Sequence, residues 1–346
     1  SFIGAAGLYS AADGSYSPWS LKHLYMFYFF LIITIIISFM NIKFFYKYSY
    51  VFFILSLLLL LSIELIGELG KGATRWIRIF GFNLQPSELI KITIILALAK
   101  YYHDLKYENI KKIIFLLFPF LFIFIPFILV LTQPDLGTSL SIAILGIMIL
   151  FSAGVRIWKF VFGFIISVVS IPILLNSIKP YQKSRIISFL NPESDPLGQG
   201  YQLIQSKIAL GSGGSYGKGF LNGTQSYLEF LPEKQTDFIF TLIGEEFGFI
   251  GTIFIILLFI ILISICFYIS IKSHHVFGRI LSIGVASNIF IYVIMNVAMV
   301  SGLMPVVGIP LPLISYGGSV MLSIMISMGL VLNVEINHNV KKLNNA

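Results

Sequence analysis

The sequence predicts an all-α polytopic membrane protein with ten transmembrane helices and a large extracytoplasmic loop between the seventh and the eighth. Three observations carry this reading. Of the 346 residues, 57% are hydrophobic and 11% charged, and the mean hydropathy is +0.93, outside the range of soluble domains. Apolar runs of about 20 residues, enough to cross a hydrocarbon core of about 30 Å, recur along nearly the whole chain. Lipid offers no backbone hydrogen bonds, so each run must bond internally as a helix.

Taken in order, the spans fall near 1–12, 21–41, 49–67, 86–102, 112–131, 136–154, 157–177, 236–271, 280–302 and 313–334. The first is too short to cross, and the chain opens on Ser1 rather than Met. The expected first helix is therefore truncated, its start and any cytoplasmic tail lying before Ser1. Basic residues gather in alternate connections: Lys43 and Lys47, Lys100 to Lys112, Arg156 and Lys159, Lys272 and Arg279, then Lys341 and Lys342. The positive-inside rule puts these in the cytoplasm, with both termini, and puts residues 178–235 outside. No internal repeat is visible, and residues 1–346 read as one integral membrane domain. Within the long loop, GQGYQLIQSKIALG has the spacing of a short interfacial helix.

Several function classes drop out. The net charge of +8 follows the membrane sides rather than forming one patch, which removes nucleic acid. Cys266 is the only cysteine, and the five histidines include no HExxH, so neither a disulfide framework nor a zinc site is expected. The glycine run GSGGSYGKGF resembles a phosphate loop but has Ser212 where the first Gly belongs and Gly219 where Ser or Thr belongs, which removes ATP hydrolysis.

The polar residues that remain are the candidates for chemistry. LPEKQTDFIFTLIGEEFGFIG places Glu233, Lys234, Asp237, Glu245 and Glu246 at the mouth and first turns of the eighth span. Charges at membrane depth cost about 2.5 to 3.5 kcal/mol on insertion scales. Asp237 reads as a helix cap or as a catalytic carboxylate kept ionised by the helix dipole. Glu245 and Glu246, about 12 to 14 Å deeper along a continuous helix, favour the second reading. One outer loop, residues 68–85, breaks the charge rule by holding Lys71, Arg75 and Arg78 beside Trp76, as an anion-binding loop would. In NLQPSELIKI, Glu88 and Lys91 share a helix face and form either a packing ion pair or the lining of a polar cavity. In QPDLGTS, Asp135 follows the same Pro-acid pattern, as cap or ligand. The prolines and glycines of GLMPVVGIPLPLISYGGS mark irregular backbone at the outer mouth of the last span.

These blocks, GATRWI with QPSELIK, QPDLGTS, NPESDPLGQGYQLIQSKIALGSGGSYGKGFLNGTQSYLEFLPEKQTDFIFTLIGEEFG and PLPLISYGGS, resemble in order the signatures of the SEDS family (shape, elongation, division and sporulation). The likeness runs from the first helix to the last, and GTQSYLEFLPEKQTDFIF looks most like the RodA, or elongation, branch. Gln235 stands where many relatives have His. The resemblance implies a ten-helix glycosyltransferase that polymerises lipid II into peptidoglycan, working with a class B penicillin-binding protein and other elongation-complex proteins. It implies Asp237 as the essential acid and Arg75, Trp76, Glu88 and Lys91 as further site residues. Lys71 and Asp135 join them as candidate substrate contacts on the reading above. Three roles stay open for Asp237: general base, acceptor-orienting group, or ligand of a divalent cation (Mg or Mn), no other cofactor being expected. The rival classes are a lipid II flippase and a non-catalytic scaffold of the elongation machinery.

Overall fold

The computed structural model describes residues 1–66, 68–70, 73–79, 82–110, 112–177, 180–195, 198–224, 231 and 233–338. In chain order its elements are α1 (Phe2–Ala11), α2 (Ser20–Phe39), α3 (Ile42–Ile66), β1 (Glu68–Gly70), β2 (Ala73–Ile79), β3 (Phe82–Leu84), α4 (Pro86–Asp104), α5 (Tyr107–Ile110), α6 (Leu117–Thr132), α7 (Leu136–Ser152), α8 (Ile157–Ser177), α9 (Pro180–Leu190), α10 (Gln199–Ser212), α11 (Ile239–Lys272), α12 (Val276–Val300) and α13 (Gly318–Ile336). Every predicted span contains a helix. By length and composition, six apolar stretches among the described residues can cross a membrane: Ser20–Phe39, Ile42–Ile63, Ile114–Thr132, Ile239–Lys272, Val276–Val300 and Gly318–Ile336.

Three local outcomes differ from the sequence reading. The third helix starts at Ile42 rather than near residue 49, because the Asn41 side chain accepts the Lys43 N–H at 3.0 Å and caps it. Residues 68–70, 73–79 and 82–84 are not plain loop in an all-α chain. They form a three-stranded antiparallel sheet, β1-β2-β3, in which Ile77 faces Leu84 and Arg78 faces Asn83. Thr74, Trp76, Ile77 and Ile79 supply the β-branched and aromatic residues that a strand favours. Finally, α11 is not one straight rod.

The chain divides into two compact units. In the unit formed by Phe29–Ile166, Leu262–Ile291 and Gly318–Ala346, α4 is the central element and packs on α3, α6, α7 and α13. Its Ile90, Ile94, Ala97 and Leu98 are fully buried, as a helix apolar on several faces requires. On α13, the Asn333 amide donates to the carbonyls of Ile37 (2.9 Å), Ser38 (3.2 Å) and Met40 (2.5 Å). It thereby closes the C-terminal end of α2, whose last carbonyls have no partner within the helix.

The other unit comprises Ser1–Tyr28, Ser167–Ile261 and Tyr292–Gly317. Here α1 packs through small residues: a Cβ on Gly4 would lie 2.6 Å from the Ile314 carbonyl oxygen, and one on Gly7 would touch Ile239. α10 is docked by Ser206, whose hydroxyl lies 2.8 Å from that of Thr241 and donates to the Val300 carbonyl at 2.8 Å. α12 ends in a Schellman motif at Gly302 (φ 76°), with Leu303 N–H on the Ala298 carbonyl (2.8 Å) and Gly302 N–H on that of Met299 (3.1 Å).

As a continuous rod, α11 would be about 51 Å long, far more than a bilayer core needs. It breaks at Gly248 (φ 66°, ψ −160°), leaving 239–247 as a short segment and 249–272 as the spanning one. The broken ends are repaired by the glycine run after α10. Lys218 and Gly219 donate their N–H groups to the Glu245 and Glu246 carbonyls (3.0 Å each). Phe249 and Ile250 donate theirs to Gly214 (2.9 Å) and Ser215 (3.2 Å). The resemblance of GSGGSYGKGF to a phosphate loop thus has a structural explanation: close backbone approach needs glycine, here to bond a helix rather than a nucleotide. A Cβ on Gly248 would lie 2.4 Å from the Gly217 nitrogen, and its φ/ψ is open only to glycine. Gly248→Ala is expected to destabilise the protein by at least about 1–3 kcal/mol, read as a lower Tm in detergent; a parental Tm would contradict the repair.

Candidate active site

Two groups of polar residues emerge, one in each unit. The first is assembled around the sheet. β2 packs on α3 and α4 and extends Arg75 to the turn between α6 and α7. Arg75 donates through Nε to the Gln133 carbonyl at 3.2 Å and through Nη2 to that of Pro134, and its Nη1 lies 4.0 Å from Asp135 Oδ2. Asp135 is the N-cap of α7: Oδ1 accepts the Thr138 N–H (3.1 Å), and Oδ2 accepts the Thr138 hydroxyl (2.9 Å) and the Gln85 amide (3.1 Å). Gln85 is fixed in turn, its N–H donating to the Ser319 hydroxyl at 3.0 Å while that hydroxyl donates to the Asn83 carbonyl at 2.7 Å. Arg75 is therefore oriented by a backbone turn and a capped carboxylate, with a quarter of its side chain exposed.

One turn into α4, Lys91 Nζ sits 2.9 Å from Glu88 Oε1, and the Ser323 hydroxyl approaches Glu88 Oε2 at 3.4 Å. Both side chains are almost fully buried, Lys91 to 1% exposure. Trp76 is half-buried on β2, across from Glu68 in the strand register. Lys71 lies outside the described residues.

The second group surrounds Asp237. α11 starts at Ile239, so Asp237 lies in the turn before it rather than within the helix. That turn is closed by Thr236 and Phe238 N–H groups on the Glu233 carbonyl (3.1 and 3.3 Å) and by the Thr236 hydroxyl on Glu233 Oε2 (3.0 Å). Lys234 is buried and pairs with Asp13 at 3.5 Å. The segment after α12 lies against the same turn. Asn296 donates to the Asp237 carbonyl at 2.9 Å, and Tyr316 N–H donates to the Gln235 carbonyl at 2.9 Å.

Glu245 and Glu246 are buried and end the short segment before the Gly248 break. Lys218 Nζ lies 2.8 Å from Glu245 Oε1, which also accepts the Thr224 hydroxyl at 3.0 Å. Glu246 Oε1 accepts the Ser10 hydroxyl and the Leu221 N–H, the latter at 3.2 Å. These acids bind residues 218–224 and Ser10 to the break. Among the described residues, no group of three His, Cys, Asp or Glu side chains could hold a metal ion.

Structure thus assembles Arg75 with Asp135 and pairs Glu88 with Lys91. It also adds Gln85, Gln133 and Asn296, which sequence reasoning passed over. The signal for Asn296 was present: it is an amide within the apolar run IYVIMNVAMV, and polar side chains at membrane depth need a reason.

The sequence model of the FtsW/RodA/SpoVE cell cycle protein family matches residues 5–340. The chain belongs to this family. Peptidoglycan glycosyltransferase MrdB, the RodA of Escherichia coli K12, is 42% identical over 284 residues, which cover 80% of this SEDS chain and 74% of the relative. Stage V sporulation protein E of Bacillus subtilis is 40% identical over 277 residues, 80% of this chain and 73% of the relative. A chain of a solved peptidoglycan synthase complex that coordinates polymerization and crosslinking is 29% identical. It superposes with a TM-score of 0.81, covering 98% of this SEDS chain and 96% of that one. The fold is that of a polytopic SEDS membrane protein.

The Glu88–Lys91 pair can be tested apart from the rest of the site. Removing one member of a buried pair costs about 3–5 kcal/mol, whereas replacing both with apolar residues is often neutral. Lys91→Met should therefore lower Tm in detergent, and Glu88→Leu with Lys91→Met should recover most of it. A stable double variant that still polymerises lipid II at the parental rate would remove both residues from the substrate site.

Proposed function

We propose that this SEDS chain is a peptidoglycan glycosyltransferase that polymerises lipid II during cell elongation, in complex with a class B penicillin-binding protein. The observation that carries this reading is the 42% identity to the glycosyltransferase MrdB across most of the chain. The elongation role rests on the RodA-like wording of residues 223–240, since identity to the sporulation relative is nearly as high. The penicillin-binding partner is supported by the likeness to a synthase complex that couples polymerization to crosslinking.

The reaction needs a group that serves the acceptor hydroxyl and positive charge for the leaving diphosphate. The 4-hydroxyl of the acceptor GlcNAc attacks C1 of the donor MurNAc, the C1–oxygen bond to the diphosphate breaks, and configuration inverts to give the β1,4 link. Asp237 orients that hydroxyl or accepts its proton. The departing polyprenyl diphosphate takes up the bonding electrons, and Arg75 meets its charge with the guanidinium donors left after those given to Gln133 and Pro134. Asp135 and Gln85 keep Arg75 aimed, Lys71 adds positive charge to the same loop, and Trp76 provides an apolar wall. Glu88 and Lys91 fix the start of α4 beneath that loop. A divalent cation at Asp237 would draw its remaining oxygens from diphosphate and water, as Mg²⁺ commonly does.

In the membrane we place all ten helices across the bilayer of the cytoplasmic membrane, both termini in the cytoplasm and Asp237 on the outer face. The alternating basic connections support this orientation. Single cysteines in a Cys266→Ser background should label from outside near residue 215 and not near Lys106; the reverse pattern would overturn the orientation.

The decisive experiment uses purified protein with its penicillin-binding partner and lipid II in detergent, where no bilayer exists to be crossed. Asp237→Asn keeps the side-chain shape, and we expect polymer to fall by about 10²–10⁴. Arg75→Ala should lose about 10- to 150-fold, the equivalent of a charge-assisted contact of about 1.5–3 kcal/mol, with protein level and partner binding unchanged. A flippase or scaffold would make no glycan even with the parental sequence. Equal polymer from Asp237→Asn would keep the enzyme and strip Asp237 of its role.

A further inference from the structure

Asn296 is fully buried on α12, and its amide nitrogen makes two bonds with different parts of the chain. It donates to the Asp237 carbonyl at 2.9 Å and to the Ile309 carbonyl at 2.7 Å. Both partners are acceptors, so only the NH₂ end can face them, and the orientation of the amide is settled by chemistry. One side chain thereby ties the turn that carries the candidate acid to the irregular segment 302–317. From the other side, Gly308 (φ +72°) brings its backbone so close that a Cβ there would lie 3.3 Å from Asp237 Oδ2. Asn296 Oδ1 is buried without a hydrogen-bond partner among the described residues. A side chain serving only to fill space would be apolar at this depth, since an unpaired buried acceptor costs free energy. What an apolar residue could not supply is the pair of donors.

We propose that Asn296 is a positioning residue for glycosyl transfer: by holding the Asp237 and Ile309 carbonyls together, it sets the place of the Asp237 carboxylate against the acceptor hydroxyl. This rests on the reading that Asp237 serves that hydroxyl. Asn296 itself touches neither sugar nor diphosphate. It acts through the peptide of Asp237, and Gly308, a glycine at positive φ, leaves the space beside the carboxylate open.

Asn296→Asp keeps the shape and removes the donors: ionised, it can bond neither carbonyl, and protonated, only one. Polymerisation in detergent is measured against lipid II concentration and expressed per lipid II-binding site, counted by titration with labelled lipid II, so that misfolded protein does not enter. The expected result is a fall in kcat of about 10- to 100-fold, the scale of an ångström of misplacement, with KM within about twofold of parental. Gly308→Ala, which adds a methyl beside the carboxylate and changes no donor, should move kcat the same way. Asn333→Asp is the control. It puts the same change at a buried amide that also donates to backbone carbonyls, and it should lower Tm while leaving kcat per binding site at the parental value.

Parental kcat per site in Asn296→Asp would overturn the proposal, as would an equal loss in Asn333→Asp, which would make the effect a general cost of a buried acid. Should Asn296→Asp fail to accumulate folded, Gly308→Ala decides alone, and a parental kcat there overturns the proposal. The underlying reading fails separately: an active Asp237→Asn would sink it whatever Asn296 does, whereas an inactive Asp237→Asn beside a parental Asn296→Asp would sink only this inference.

Discussion

The bilayer interior holds no water to take up a backbone N–H or carbonyl, so every departure from a regular helix must be repaired by the protein itself. Much of this structure follows from that constraint. The break at Gly248 is bridged by four hydrogen bonds from residues 214–219. The end of α2 is closed by the Asn333 amide, and the end of α12 by the turn at Gly302. The turn before α11 is closed on the Glu233 carbonyl and anchored by Asn296 and Tyr316. Asp237 can sit on irregular backbone because its neighbours absorb the polar groups that irregularity exposes.

The same economy governs charge. Asp135 is held by Thr138 and Gln85, Glu88 by Lys91, Glu245 by Lys218 and Thr224, and Glu246 by Ser10 and Leu221. In each case the carboxylate oxygens take the bonds, and the acid serves as a fastening. At Asp237 the anchor from Asn296 is on the peptide carbonyl. Fixing a residue by its main chain sets the place of the turn that carries it.

Much of this was legible in the residues, and the remainder was hidden for physical reasons. Apolar runs of spanning length located a helix in every predicted span. Pro86 and Asp135 read correctly as helix starts, because caps and prolines act within one turn of the chain. The sheet of residues 68–70, 73–79 and 82–84 was missed because a basic, glycine-flanked stretch between two spans scores as loop until strand pairing is considered. The break at Gly248 was missed because one glycine in an apolar run is ordinarily tolerated, and its partner lies some 30 residues earlier. Lys218–Glu245, Gln85–Asp135 and Asn296–Asp237 are long-range pairs, and no local pattern announces them. Asp237 was singled out by its place at the mouth of the eighth span and by the family signature, while only the folded chain shows what holds its backbone.

The repair of α11 changes what residues 213–219 are. Surface loops usually absorb insertions and deletions at little cost, because their backbone faces water and any length closes. This one is register-locked: four of its main-chain groups pair with fixed positions on either side of Gly248. One residue added or lost would shift each of those pairs by a step and leave the helix ends bare. A segment that looks like a free surface loop is thus, in tolerance to length, as constrained as a helix interior, and a reporter tag or domain grafted there would act as a lesion in the helix beside it.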